Sequence, residues 1–203
     1  ILAGVGGGGG DDGDDGDRPS GLTCSDPGDA PNRSARSLAD LAERGSTIRV
    51  FASWRHYSRS SLVSIANAGE SGGRGGKLIV CVDDDYYSSS SLTQIAAAGG
   101  KVEIRGSLEL FSSSALVRIA QANPGEMFLD VDSTYYSSSS LSRITAAGGI
   151  VCVRASLEYY SSSALAGVAS AAANGGLLIL IVDSDYYSQS SLRRIENGGA
   201  RII

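Results

Sequence analysis

The sequence predicts an α/β fold: a single-handed solenoid of seven strand–helix repeats of about 25 residues, parallel sheet on one face and helices on the other. Three observations carry that reading. The motif YYSSSSL and its variants recur at residues 57–62, 86–92, 111–116, 135–141, 159–165 and 186–192, with a degenerate SARSL at 34–38. The closing leucines, Leu38, Leu62, Leu92, Leu116, Leu141, Leu165 and Leu192, fall 24, 30, 24, 25, 24 and 27 residues apart. Between motifs, apolar residues at helical spacing give way, after glycines, to apolar residues at every second position.

The array opens with a helix over Ser34–Arg44 and a strand over Ile48–Ala52. Each later helix begins at a motif. In the copy at 86–92, Ser88 is the expected N-cap, and Tyr87 and Leu92 bracket it as a hydrophobic staple. Gly99 and Gly100 then supply the left-handed residue that ends the helix. The same grammar recurs at Leu116–Ile119, Leu141–Ile144, Leu165–Val168 and Leu192–Ile195. Strands are expected at Leu78–Val82, Val102–Gly106, Met127–Val131, Val151–Ala155, Leu178–Val182 and Ala200–Ile203.

Strand–helix–strand links this short require right-handed crossovers between adjacent parallel strands. Helices need wider spacing than strands, so the array should curve with its sheet inside. In period, leucine and isoleucine placement and strand–helix alternation, residues 34–203 resemble the leucine-rich-repeat class, without its asparagine ladder. A longer period of about 49 residues overlies the first. Four residues before the motif aromatic stand Ser53, Asp83, Ser107, Asp132, Ser156 and Asp183 in alternation.

Residues 1–33 differ from the rest. They hold seven aspartates against Arg18 and Arg33, ten of the 27 glycines and three of the four prolines. Such a stretch buries too little apolar surface to offset its ordering entropy, which predicts a disordered acidic Gly/Asp-rich tail or linker before a repeat domain at 34–203. Gly7–Asp12 also matches part of a calcium-binding nonapeptide, but as one copy where such sites need stacked copies. The body is neutral and gives no electrostatic footprint for nucleic acid. No run of eighteen apolar residues suggests a membrane span, and the lack of a visible secretory signal leans towards the cytoplasm.

For function, the motif aromatics Tyr57, Tyr87, Phe111, Tyr136, Tyr160 and Tyr187 are expected to form a structural ladder, since a stack demands the same contact in every unit. The serine runs offer an anion site along stacked helix N-termini as an alternative. The aspartates at strand ends stand two rungs apart, too far for a shared ion, and a charge ladder Arg105–Asp130–Arg154 is expected instead. One histidine, His56, and three scattered cysteines, Cys24, Cys81 and Cys152, fit neither a zinc site nor a disulfide scaffold. The strand cysteines read as small apolar fillers.

With no nucleophile–base–orienter set, the sequence predicts no catalysis and no cofactor. On the sheet face away from the helices, seven of twelve side chains in the two inner columns are apolar and five are charged. That mixture predicts a non-enzymatic scaffold binding a protein partner through Phe51, Ile79, Arg105, Phe128, Asp130, Arg154, Ile179 and Ile181. Self-assembly, head-to-tail through the bare terminal strand or face to face, is the second expectation.

Overall fold

The computed structural model describes residues 33–105 and 109–203. The acidic segment, with its calcium-binding alternative, lies outside the described residues except for Arg33. Among the described residues seven α-helices alternate with seven strands: α1 (Ala35–Glu43), β1 (Thr47–Phe51), α2 (Arg59–Ser71), β2 (Lys77–Val82), α3 (Ser89–Ala97), β3 (Lys101–Arg105) and α4 (Ser113–Ala122). There follow β4 (Met127–Val131), α5 (Ser138–Ala146), β5 (Ile150–Arg154), α6 (Ser162–Ser170), β6 (Leu177–Ile181), α7 (Gln189–Asn197) and β7 (Arg201–Ile202). All strands are parallel and pair in chain order.

Each helix starts for the same reason. A serine in extended conformation (Ser34, Ser58, Ser88, Ser112, Ser137, Ser161 or Ser188) accepts a hydrogen bond from the backbone N–H three residues on. The motif leucine and the isoleucine or valine three residues later are fully buried in most copies, and strand residues such as Val80, Val102, Leu129 and Val153 meet them in one continuous core. Helix α3 ends as expected, with Gly99 at φ +91°.

The strands pair in steps of two. Counted back from the motif aromatic, equivalent residues lie opposite one another within pairs of repeats: Ile48 with Leu78, Val102 with Met127, Val151 with Leu178. Between those pairs the register slips by two residues, so Val80 faces Val102 and Leu129 faces Val151. A slip of two keeps every side chain on its own face. The 49-residue alternation is its counterpart in sequence, and the Ser/Asp column is how neighbouring strands are clasped. Asp83 Oδ1 accepts from the backbone N–H of Ser53 at 2.8 Å, and its Oδ2 takes the Ser53 hydroxyl. Asp183 repeats this on Ser156, at 2.7 Å for both bonds.

Candidate functional site at the strand carboxyl ends

The face turned away from the helices, the inner face, is covered rather than open. Phe51, Ile79, Phe128, Ile179 and Ile181 are all exposed by 6% or less, and Cys152 is fully buried. The apolar residues form two separate clusters. Phe51, Ile79 and Cys81 lie on β1 and β2, while Phe128, Cys152, Ile179 and Ile181 lie on β4 to β6. Charge occupies the strip between them. On β3, Lys101, Glu103 and Arg105 alternate onto this face. Lys101 Nζ stands 2.8 Å from a Glu103 carboxylate that is almost wholly buried.

The expected charge ladder forms in part. Arg105 lies opposite Asp130, but the slip places Cys152 opposite Asp130, and Arg154 stands two residues further along β5, opposite Ile181. The Arg154 guanidinium reaches Asp183 on β6 at 3.8 Å. Burial would raise the Asp183 carboxyl, but the bonds from the Ser156 hydroxyl and backbone, with Arg154 nearby, outweigh it and hold its pKa below the usual carboxylate value. Burial pushes the Cys152 thiol up to about 12, reinforced by Asp130 and opposed by Arg154, so the thiol stays protonated at neutral pH. Charged residues at the strand carboxyl ends are among those of this face that reach solvent, as are Arg49 and Arg201. Arg105 is exposed, and Asp130 and Arg154 are half-buried.

Just beyond them, Arg55, Glu109 and Glu158 hold the left-handed conformation at φ 48–50°, at equivalent positions in alternate repeats. Arg55 pairs with Asp84 at 3.2 Å and lies over the ring of Tyr86. The first tyrosines of the pairs, Tyr86, Tyr135, Tyr159 and Tyr186, are exposed on this rim and meet their neighbours edge to face at 4.8–5.0 Å. His56 stands in the same relation to Tyr57. Among the described residues no group of histidine, cysteine, aspartate and glutamate could hold a metal ion, and no helix is long and apolar enough to cross a membrane.

The tyrosine ladder is a hydrogen-bonded staircase. The Tyr57 hydroxyl donates to the Arg33 carbonyl (2.9 Å), Tyr87 to Tyr57 (2.6 Å), Tyr136 to Phe111 (2.8 Å), Tyr160 to Tyr136 (2.5 Å), and Tyr187 to Tyr160. Burial pushes the hydroxyls of Tyr136, Tyr160 and Tyr187 up to about 12. Phe111 is the one rung without a hydroxyl. Phe111→Tyr is expected to add the missing bond to the Tyr87 carbonyl and to stabilise the fold by about 0.5–1.5 kcal/mol. A melting temperature that stays level or falls would contradict it. The capping serine hydroxyls lie 2.9–3.1 Å from serine hydroxyls two residues on, so much of their bonding capacity is used within each helix start.

Sequence reasoning missed two features of this face. Glu103 was among the charged residues expected on this face, but its pairing with Lys101, two positions earlier on the same strand, was not foreseen, a signal that period-two reading contains. Cys81, read as a filler, is disulfide-bonded.

The scan against family models and the search of curated sequences returned no match. Among solved structures, an HpcH/HpaI aldolase from Desulfitobacterium hafniense matches at 11% identity and TM-score 0.40, over 83% of this chain and 80% of that one. An aldolase/citrate lyase family protein from Burkholderia cenocepacia matches at 13% and 0.37, over 84% and 82%. A mandelate racemase/muconate lactonizing enzyme from a Sulfitobacter species matches at 12% and 0.40, over 83% and 46%.

These matches are enzymes and not leucine-rich-repeat proteins, and they correct the expected resemblance. Within the molecule, the reason is the slip in register: a stack of identical repeats would pair equivalent residues at every junction, and this sheet does so only at alternate ones. The expected non-enzymatic scaffold is corrected with it, as are its alternatives of self-assembly and anion binding on the serine rim. The apolar residues expected to meet a partner are already buried.

Proposed function

We propose that the chain is an α/β-barrel-type enzyme acting on a small carboxylate-bearing substrate at the carboxyl ends of β3 to β5. The strand register supports the barrel reading. A closed eight-stranded barrel of this class has a shear of 8, two residues for each pair of strands. Here the slip is two residues at each of two junctions, four in all over β1 to β5. In such folds the chemistry sits at the strand carboxyl ends.

One observation carries the site: Asp130 stands between Arg105 in register on one side and Cys152 on the other, with Arg154 two residues further along β5, where the strand ends reach solvent. Two guanidinium forks suit a carboxylate or phosphate. A carboxylate beside them is suited to take a proton from a carbon made acidic by a neighbouring carbonyl. Cys152, held as a neutral thiol, acts as a small wall residue and not as a nucleophile. The Lys101–Glu103 ion pair lies beneath.

Calorimetric titration with oxalate, a small dicarboxylate probe, tests this. Oxalate should bind, Arg105→Gln and Arg154→Gln should each weaken binding about tenfold or more, as loss of a charge-assisted hydrogen bond implies, and Asp130→Asn should retain it. Asp130→Asn should also abolish solvent-deuterium exchange into the α-protons of bound 2-oxo acids, read by NMR. Oxalate binding that is indifferent to both arginines would overturn the proposal.

A further inference from the structure

The first tyrosine of each pair stays outside the core. Tyr86, Tyr135, Tyr159 and Tyr186 are 41–53% exposed on the rim beyond the strand carboxyl ends, each braced edge to face by the buried tyrosine that follows it. The staircase does not use them, since its bonds come from the buried member of each pair. Exposed tyrosines held at fixed angles in a row mark a contact surface. At one of them the chain itself shows what such a ring takes. Arg55 lies over Tyr86, 5.8 Å from the ring centroid, and its guanidinium meets Asp84 at 3.2 Å.

The later copies keep the ring and reverse the charge. Glu109 and Glu158 occupy the Arg55 position with the same left-handed backbone, φ 48° and 50° against 50°, and Ser133 and Ser184 stand where Asp84 stands. The Tyr136 hydroxyl is raised by burial, then by Tyr135 and by Glu109, which puts that carboxylate beside the ring pair. Glu109, Glu158 and Asp185 are exposed, and among the described residues no ion pair holds them. Nor does any cation among those residues stand over Tyr135 or Tyr186. Segments 131–136, 155–160 and 182–187 contain no lysine or arginine to supply one.

We propose that Tyr135 and Tyr186, with Glu109 and Glu158 beside them, bind two arginine side chains of an extended basic segment of a partner protein. A planar guanidinium stacks on an aromatic ring while its edge takes a carboxylate, as Arg55 does on Tyr86 and Asp84. The two rings stand two strands apart, about 10 Å by strand spacing and about 20 Å by helix spacing. An extended chain covers that span in about three to six residues. This surface is the outer rim and not the buried inner face, and the contact is independent of the reaction proposed above.

The probe is an acetylated, amidated heptapeptide with arginine at its first, fourth and seventh positions and glycine between. Followed by NMR at low salt, it should shift the ring protons of Tyr135 and Tyr186 and leave those of Tyr86 in place. Tyr135→Leu with Tyr186→Leu should weaken binding about five- to twenty-fivefold, roughly two- to fivefold for each exposed cation–aromatic contact. Tyr86→Leu should leave binding unchanged, and Glu109→Gln with Glu158→Gln should weaken it. Arg55→Glu makes the first copy like the other two and should bring the Tyr86 ring into the set that shifts. Equal shifts at Tyr86 in the parent, equal binding of the peptide with citrulline in place of arginine, or spermidine binding as tightly as the peptide overturns the proposal. The parent's ring shifts and the citrulline comparison decide it even where a leucine variant loses its fold.

Discussion

Tyr136→Ala is expected to lower stability by about 3–5 kcal/mol, the range for truncating a large buried aromatic. Its ring is 2% exposed and sits at the centre of the staircase, donating to Phe111 and accepting from Tyr160. The loss is a large fraction of the ~5–15 kcal/mol that holds an ordinary domain folded. Tyr136→Phe separates the two contributions. It keeps the packing and leaves the Phe111 carbonyl without its donor, for about 1–3 kcal/mol. Chemical denaturation of the three proteins checks the order parent, Phe, Ala. A Tyr136→Ala protein that unfolds at the parent's denaturant midpoint would show that the aromatic column is not structural.

Gly176→Ala should be as damaging, for a steric reason. A Cβ there would lie 1.9 Å from the Thr145 carbonyl oxygen and 2.9 Å from its carbon, backbone atoms at the end of α5 that cannot swing aside. The expected loss is at or above the ~1–3 kcal/mol of ordinary overpacking. Gly76, at the same place before β2, meets the Ala42 carbonyl oxygen at 1.8 Å and should behave alike. Gly167 provides the contrast within one repeat. It lies inside α6 with open space where its Cβ would be, so Gly167→Ala should stabilise by about 0.5–1 kcal/mol. Thermal melts of the three variants test the account, and a Gly176→Ala melt equal to that of Gly167→Ala would contradict it.

These two sites show how much the sequence discloses. Serine caps, aromatic staples and the leucine at the fourth helical position depend on neighbours within a few residues, so the helix starts were legible, and the strands fell within a residue or two of expectation. Tyr136 was legible as a ladder member because a stack repeats its contacts. The slip between Asp130 and Cys152 was not. Sliding a strand by two residues leaves the apolar alternation unchanged, so periodicity cannot see it. Only the alternation of Ser53, Asp83, Ser156 and Asp183 hinted that repeats work in pairs. The inner face misled for a related reason. Phe128 and Ile179 read as an uncovered apolar surface because no pattern in the sequence shows what lies across from them. Three cysteines in distant segments likewise carry no pairing information, and Cys81 gave no local sign of its bond.

The register at Asp130 decides the central claim most directly, since both the barrel-type geometry and the composition of the site depend on it. Cross-strand nuclear Overhauser contacts between backbone amide and α protons on β4 and β5 measure it. The account predicts contacts joining Asp130 to Cys152 and its immediate neighbours, and Leu129 to Val151. Contacts joining Asp130 to Arg154 and Leu129 to Val153 would mean an unslipped stack of equivalent repeats, and would contradict it.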